Sequence, residues 1–239
     1  MSRTMIKYIA VITMTLNHIA NVVTELNPLL REVMLDIGYF TAVTMCYFLV
    51  EGYQHTHSKK KYAQRLFVFA LISQIPYQIA LERLALNMMF TLFICFLILA
   101  VKEYVRQPAM KALAITVLIL CTWYSDWGLT APVFTLLFAW SGENRKKTAL
   151  AYGAALLLFC GRNFYTFYMY AYQYIGREAL GYAFPRALGT SVGILASGTV
   201  ILFLYNREKS PGSGKFGKWF FYVYYPVHLA ALALLRMII

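Results

Sequence analysis

Long apolar stretches separated by short charged loops occupy almost the whole sequence. One near the start, KYIAVITMTLNHIANVVTEL, is long enough to cross a hydrocarbon core of about 30 Å as a helix. Comparable stretches of roughly 17–25 residues recur to the end of the chain. The pattern predicts an all-α fold, a polytopic transmembrane helical bundle that forms one domain over residues 1–239.

Nine such helices can be placed, and one further segment is ambiguous. The predicted helices cover residues 5–25, 31–54, 62–81, 88–104, 109–125, 128–141, 147–163, 186–205 and 219–238. The segment 164–185 is aromatic but contains Arg177 and Glu178, which is compatible with an interfacial helix, a re-entrant segment or a tenth span. We favour nine spans because a tenth would break the alternation of basic loops along the chain.

Composition and charge placement agree with this assignment. Hydrophobic residues make up 60% of the chain and charged residues 13%, against about 45–50% and 25% in soluble domains. With a cytoplasmic N-terminus, 16 of the 22 basic residues face the cytoplasm, near the start and around the loops at 55–62, 102–111, 142–147 and 206–218. The net charge of +12 therefore reflects membrane topology, and no nucleic-acid partner is expected. The four cysteines have no C-x-x-C spacing, so no metal site is predicted.

Polar residues interrupt the first apolar stretch near its middle. His18, Asn21 and Glu25 follow one another at helical spacing and share a face, with Asn17 beside the histidine. His18 is eleven residues from Lys7, about 16 Å along a helix, which places it near the middle of the bilayer. Since a polar group that faces lipid at this depth is costly, we expect this face to look into the protein or a water-filled cavity.

The second predicted helix ends in a carboxylate, an imidazole and a basic run. Glu51 and His55 share a face at i, i+4 spacing. Four basic residues follow at once, namely Lys59, Lys60, Lys61 and Arg65. Two interpretations are open: a cluster that only sets topology, or a docking site for an anionic, phosphate-bearing cofactor. The acid Glu51 favours the second interpretation, because topology does not require a carboxylate inside the membrane.

The last predicted helix carries a second histidine at a similar depth. Pro226 removes a hydrogen bond of this helix and favours a kink, and His228 lies nine residues after Trp219. Because polar groups in hydrocarbon pair with one another, we predict that the first and last helices line one cavity, entered from the end at Glu51 and His55. A structural hydrogen bond is the simpler explanation of His228 alone.

Four stretches make the chain resemble the TraX-like proteins, polytopic membrane acyltransferases named after a pilin N-acetylase of conjugation systems and grouped with acyltransferase family 3. They are KYIAVITMTLNHIA, IGYFTAVTMCYFLVEGYQHTHSKKKYAQRL, SQIPY with NMMFTL, and FYVYYPVHL. The resemblance implies an essential histidine in the first helix, which falls on His18. It also implies a signature that includes Glu51, His55, Tyr62 and Arg65.

Two positions differ from the pattern of that family. Asn17 stands where the family usually has Asp, and Tyr39 where it usually has Arg. The negative charge expected beside His18 is therefore missing from its usual place. Glu25 and Glu51 are the candidates to supply it.

The resemblance and the residues together lead to a hypothesis of acyl transfer. His18 is the predicted general base, and Asn17 or Asn21 would donate to the oxyanion or fix the histidine tautomer. Glu51 and His228 complete the predicted catalytic set. The predicted cofactor-binding residues, which would hold the phosphates of acetyl-CoA or another acyl-CoA at the cytoplasmic face, are His55, Lys59, Lys60, Lys61, Tyr62 and Arg65.

The implied setting is a bacterial cytoplasmic membrane that the chain crosses several times. The expected partners are the lipid bilayer, an acyl-CoA, and an acceptor that is a peptide, a pilin-like protein or a glycan. Two other functions are open at this stage: a transporter or channel for a small anion or peptide, and a non-catalytic membrane partner of a conjugation or secretion system. The first also explains polar residues at mid-depth, although no internal repeat is visible. The second would be favoured if His18 proved dispensable.

Overall fold

Helices form all the regular secondary structure in the part of the chain that the structure describes. This computed structural model describes residues 1–207 and 215–238, without the side chains of 215–218. Within these ranges there are nine α-helices: α1 (Arg3–Val22), α2 (Pro28–His55), α3 (Lys59–Leu81), α4 (Met88–Tyr104), α5 (Pro108–Cys121), α6 (Thr130–Ser141), α7 (Arg145–Ile175), α8 (Ala179–Thr199) and α9 (Lys215–Ile238). The all-α fold class is confirmed. Most of the predicted basic loop at 206–218 lies outside the described residues, at 208–214.

Three helical segments are long and apolar enough to cross a membrane, which makes this a helical membrane protein. They are Pro28–His55, Arg145–Leu204 and Trp219–Ile238. The middle segment contains α7 and α8 together, and α5 and α6 are shorter apolar helices. The exact number of spans and the side on which the N-terminus lies stay predictions.

Capping side chains fix where the first two helices begin. The Ser2 side chain accepts a hydrogen bond from the Met5 N–H, and Asn27 caps α2 immediately before Pro28. Because α1 ends at Val22 and α2 begins at Pro28, residues 23–27 form the turn between the two helices. Glu25 therefore lies exposed in this turn rather than on the face of α1 that carries His18, so its predicted place on that face is wrong.

The ambiguous segment 164–185 extends two helices and is not a separate element. The helix α7 continues without a break to Ile175, which makes it 31 residues or about 46 Å long. A turn at Gly176, with φ of +58°, leads directly into α8. Because α7 is longer than the roughly 30 Å hydrocarbon core, this hairpin can extend beyond the membrane. The prediction that these helices end at 163 and begin at 186 is therefore wrong.

The helix α2 lies at the centre of the bundle and packs against α1, α4, α6 and α8. Its backbone touches α8 at Gly193, where a Cβ atom would lie 2.6 Å from both the Asp36 carbonyl oxygen and the Phe40 nitrogen. A buried hydrogen bond of 2.8 Å joins the hydroxyls of Thr44 and Ser197 between the same helices. On its other side, α1 packs against both α2 and α9. This arrangement brings the first and last helices of the chain together.

Candidate active site in the central cavity

A cavity of about 1050 Å³ follows the first helix. Its wall includes α1 residues from Arg3 to Asn21, which spans about 27 Å at 1.5 Å per residue, and residues of α2, α3, α4 and α9. We call one end the basic end, lined by Arg3, Lys7, Glu51 and Arg65. We call the other the far end, lined by Asn21, Arg31, Arg83 and Asp126. Its volume is at the upper limit of small-molecule sites, which favours an extended ligand.

Two histidines meet between these ends. The Nδ1 atom of His18 lies 2.9 Å from the Nε2 atom of His228, although 210 positions separate the residues in the sequence. The two rings are parallel within 4° and their centroids are 5.1 Å apart, which fits a hydrogen bond in the ring plane better than face-to-face stacking. Both residues are only 7% exposed. The prediction that the two chain ends bring their histidines together is confirmed.

The hydrogen-bond partners of the pair determine its tautomers. The Nδ1 atom of His228 lies 3.0 Å from the carbonyl oxygen of Tyr224 and must donate, since a carbonyl oxygen only accepts. In the neutral pair, the Nε2 atom of His228 is then an acceptor, and His18 donates to it from Nδ1. This leaves the Nε2 atom of His18 with a free lone pair. Because His18 lines the cavity, that nitrogen is available to a substrate.

His228 lies behind His18 rather than on the opposite wall of the cavity. His18 is a wall residue, whereas His228 is not among the lining residues and bonds to His18 from α9. A second hydrogen bond of 2.8 Å, between the Thr15 hydroxyl and that of Tyr224, holds α1 against α9 one turn away. The two imidazoles therefore bond directly and do not face each other across the cavity.

The two asparagines near His18 connect helices and line the cavity. The Asn17 amide nitrogen donates to the Leu35 carbonyl oxygen on α2 at 2.9 Å. The Asn21 amide nitrogen donates to both the backbone and side-chain oxygens of Asn17, at 2.8 and 3.2 Å. The histidine tautomer is therefore fixed by His228 and not by an asparagine. Asn17 retains one amide hydrogen for a ligand, whereas both of those on Asn21 are engaged.

Gly38 allows α1 to approach α2 at this point. A Cβ atom there would lie 2.2 Å from the Asn17 Cβ and 2.6 Å from its amide nitrogen. We expect Gly38→Ala to displace Asn17 and the adjoining His18, lowering stability by about 1–3 kcal/mol, as overpacking does. Thermal unfolding in detergent measures this loss. Gly153→Ala is the matched control, because nothing lies within 4 Å of its Cβ position, and equal unfolding temperatures for the two variants would contradict the expectation.

Glu51 lies at the basic end, away from the histidine pair. Its Oε1 atom accepts a hydrogen bond of 2.7 Å from the Tyr205 hydroxyl, and its Oε2 atom lies 3.5 Å from the Arg3 Nε atom. Among the described residues, no hydrogen bond or ion pair joins Glu51 to His18. Glu51 thus lines the cavity as predicted, but its partners are at the entrance and its catalytic role stays a prediction.

The predicted cofactor-binding residues divide into two groups. His55, Tyr62 and Arg65 line the cavity. His55 also approaches Glu143, with its Nε2 atom 3.6 Å from a carboxylate oxygen. The other group, which does not belong to the cavity wall, consists of Lys59, Lys60 and Lys61.

Lys59 has a different partner at the start of α3. It forms an ion pair of 2.6 Å with Glu103 at the end of α4, and Tyr53 donates to the same carboxylate. Lys60 and Lys61 are exposed. A helix-to-helix connection therefore accounts for Lys59, and a cofactor role for the three lysines stays a prediction.

The far end of the cavity combines cations with one recessed carboxyl group. Arg83 donates to the Asn21 side-chain oxygen at 3.3 Å, and Arg31 donates from Nε to the Ala20 carbonyl oxygen at 2.9 Å. Asp126 lies in the loop between α5 and α6, where burial raises its pKa to about 6 against the opposing charge of Arg83. This end can therefore bind a polar group and exchange a proton near neutral pH.

Sequence reasoning did not identify Arg3 and Lys7 as site residues. Both were counted only as topology-setting charges, yet both line the cavity. Their signal is helical spacing, because Arg3, Lys7 and His18 follow one face at separations of four and eleven residues. Tyr205 was also missed, since nothing in its sequence surroundings indicates that it would reach Glu51.

Comparison with known proteins identifies the family. The profile described as TraX protein matches residues 2–236, nearly the whole chain. The chain belongs to the TraX family. A relative of this TraX-family protein in Dichelobacter nodosus, named "Probable fimbrial assembly protein FimC, serogroup H1", is 29% identical over 249 residues. The match covers 97% of this chain and 94% of the relative. No solved structure matches the chain.

Family membership confirms the resemblance seen in the sequence. It leaves the question of which group orients His18, since Asn17 stands where the family usually has Asp. In this TraX protein neither Glu25 nor Glu51 is bonded to the first-helix histidine. His228 is bonded to it instead, so the group that orients the candidate base is a second imidazole.

Proposed function

We propose that this TraX-family protein is a membrane acyltransferase that moves an acyl group, most simply acetyl, from a coenzyme A thioester to an amine or hydroxyl acceptor. The observation that carries the proposal is the hydrogen-bonded pair of His18 and His228 on the wall of a cavity open to an extended ligand. General-base catalysis needs an uncharged, oriented imidazole within reach of the acceptor proton. The pair supplies such a group.

His228 orients His18 through a hydrogen bond between two uncharged imidazoles. An unpaired ion at this depth would be costly, so both imidazoles are neutral in the resting state. When the Nε2 atom of His18 takes a proton, its Nδ1–H remains hydrogen-bonded to His228 and the new charge is shared along that bond. On the other side of His228, its Nδ1–H donates a hydrogen bond to the Tyr224 carbonyl oxygen. His228 acts here as a positioning residue.

The reaction is a nucleophilic substitution at the thioester carbonyl. As the acceptor nitrogen or oxygen attacks the carbonyl carbon, its proton passes to the Nε2 atom of His18. The remaining amide hydrogen of Asn17 is the nearest candidate donor to the oxyanion of the tetrahedral intermediate. When the C–S bond breaks, the proton on His18 passes to the sulfur. The products are the acylated acceptor, coenzyme A with a free thiol, and the resting base.

We assign the acceptor to the far end of the cavity. The relative is named as a fimbrial assembly protein, which supports a pilin-like polypeptide as the acceptor. Asp126 and Arg83 offer one carboxyl group and one cation to polar groups of such a chain. The donor then occupies the opposite, basic end, so the two substrates meet at His18.

A transfer assay on the full-length protein tests this proposal. Purified protein in detergent, incubated with radiolabelled acetyl-CoA and a pilin precursor, is expected to place one labelled acetyl group on the precursor. The label should stay on the precursor after denaturation, and no labelled precursor should form in a reaction that lacks the enzyme. If no label reaches the acceptor, while proteoliposomes containing the protein conduct a small anion, the cavity is a transport path and the enzymatic proposal is wrong.

A further inference from the structure

We propose that the basic end of the cavity is a clamp for the diphosphate of the acyl donor, formed by Arg3, Lys7 and Arg65. This rests on the proposed function and deepens it, since it names the part of the donor that is recognised and the residues that recognise it. The lysines that precede Arg65 in the sequence have no part in this clamp.

Three cations converge on the basic end from two helices. Arg3 and Lys7 lie one turn apart on α1, and Arg65 lies in the second turn of α3; all three line the cavity. One acid, Glu51, is placed against Arg3. Glu143 lies at the rim, where it faces His55. The inner part of this end therefore carries more positive than negative charge, which suits a ligand group with two negative charges.

The cations have unused hydrogen-bonding capacity. The Nε atoms of Arg3 and Arg65 are both buried without a hydrogen-bond partner in the described part of the chain, and the Nε atom of Arg3 has only the longer ion-pair contact with Glu51, at 3.5 Å. Lys7 likewise makes no hydrogen bond or ion pair among the described residues, and its Nζ atom lies 5.2 Å from the centroid of the Phe221 ring. Leaving buried charged donors unsatisfied is costly, and phosphate oxygens would satisfy them.

Aromatic rings and one backbone carbonyl hold the two arginines in place. The Arg3 guanidinium lies 5.3 Å from the centroid of Phe48, and its Nη2 atom donates to the Phe48 carbonyl oxygen at 3.2 Å. That of Arg65 lies 5.7 Å from the Tyr62 ring and 5.8 Å from the Tyr222 ring. A ring contact uses no N–H group, so arginine over an aromatic face keeps the remaining N–H groups of its planar fork available to phosphate. The clamp is thus pre-organised, which reduces the entropy lost when a ligand binds.

The spacing along α1 matches the length of the donor. Lys7 and His18 are eleven residues apart, which is about 16 Å along the helix axis. The pantetheine arm joins the diphosphate to the sulfur through about a dozen covalent bonds, each of which advances an extended chain by somewhat more than about 1 Å. A diphosphate held by Arg3, Lys7 and Arg65 therefore places the thioester beside the Nε2 atom of His18.

Binding to a series of donor fragments tests the clamp. Calorimetric titration of the full-length protein in detergent would compare coenzyme A, its 3′-dephospho form and pantetheine. Arg65→Gln and Lys7→Gln are each expected to weaken binding of the first two about 10–100-fold, as loss of a charged hydrogen bond does, and to leave pantetheine binding unchanged. Arg106→Gln and Lys146→Gln, which remove exposed charges elsewhere, are the matched controls. Arg65→Lys keeps the charge without the fork and is expected to be intermediate.

The outcomes separate this inference from the proposed function. The diphosphate clamp would be overturned if Arg65→Gln and Lys7→Gln weakened binding of pantetheine as much as binding of coenzyme A. It would also be overturned if they weakened binding of coenzyme A but not of its dephospho form. So would equal effects of Arg65→Gln and Arg106→Gln. Acetyl transfer by the native protein, measured alongside, would then still uphold the proposed function. Conversely, suppose that the native protein transfers no acetyl group while Arg65→Gln and Lys7→Gln still weaken binding of coenzyme A and its dephospho form but not of pantetheine. That result would support the clamp and refute the proposed acyltransferase function.

Discussion

Replacing His18 with alanine is expected to lower acyl transfer by about 10²–10⁴-fold, the usual contribution of a positioned general base. The reason is that His18 belongs to the cavity wall and its Nε2 atom is the nitrogen of the pair that is left with a free lone pair. His228 is not among the residues that line the cavity, and both of its ring nitrogens are hydrogen-bonded. The initial rate of labelled acetyl transfer measures the loss, and gel filtration together with thermal unfolding checks that the variant is folded.

A matched histidine provides the control for this experiment. His57 is exposed between α2 and α3 and does not line the cavity, so His57→Ala should transfer acetyl at the native rate. If folded His18→Ala protein retained more than about a tenth of the native rate, a general-base role at this residue would be excluded.

Changes at His228 should depend on whether the new side chain accepts a hydrogen bond. His228→Leu removes the acceptor of the His18 Nδ1–H, so the His18 ring is free to adopt the other tautomer, with its proton on Nε2. We expect a loss of about 10²–10⁴-fold, comparable to the effect of a wrong tautomer in serine proteases. His228→Gln carries an amide oxygen near the same position and should recover at least about a tenth of the native rate, because an amide oxygen accepts as Nε2 does.

Two readouts distinguish positioning from a purely structural role. The double variant His18→Ala, His228→Leu should be no slower than His18→Ala alone, since residues that act as one unit are not additive. Both His228 variants should also bind coenzyme A as the native protein does. A rate for the glutamine variant as low as that of the leucine variant, with both folded, would mean that hydrogen-bond acceptance at this position is irrelevant.

The helix positions could largely be predicted from hydropathy and capping residues. Asn27 followed by Pro28 begins α2, and Asn87 caps α4, within a few residues of the predicted starts. The end of α7 could not be predicted, because Arg162 and Asn163 interrupt the apolar run and suggest an end. In the fold, Arg162 contacts Thr130, and Asn163 donates to Thr190 at 3.0 Å. Partners on other helices thus allow these polar residues inside a long helix.

The candidate site was predictable in its depth but not in its bonding. Counting residues from the helix ends placed His18 and His228 at one level, and the bundle brings them into contact. Which nitrogen donates depends on the Tyr224 carbonyl, a backbone group that carries no signal in the sequence. In the same way, the density of charge in the sequence drew attention to Lys59, Lys60 and Lys61. Arg3 and Lys7 are isolated cations, and only the packing of α1 turns them toward the cavity.

The contact between α1 and α9 has a consequence for the order in which the proposed site is assembled during synthesis. His18 and the histidine that orients it are 210 positions apart, so α1 is made long before α9. A chain truncated before α9 contains Arg3, Lys7 and Arg65 but lacks His228. On the proposed mechanism, the base is therefore oriented only after α9 is inserted beside α1, and a chain truncated before α9 is expected to transfer no acetyl group.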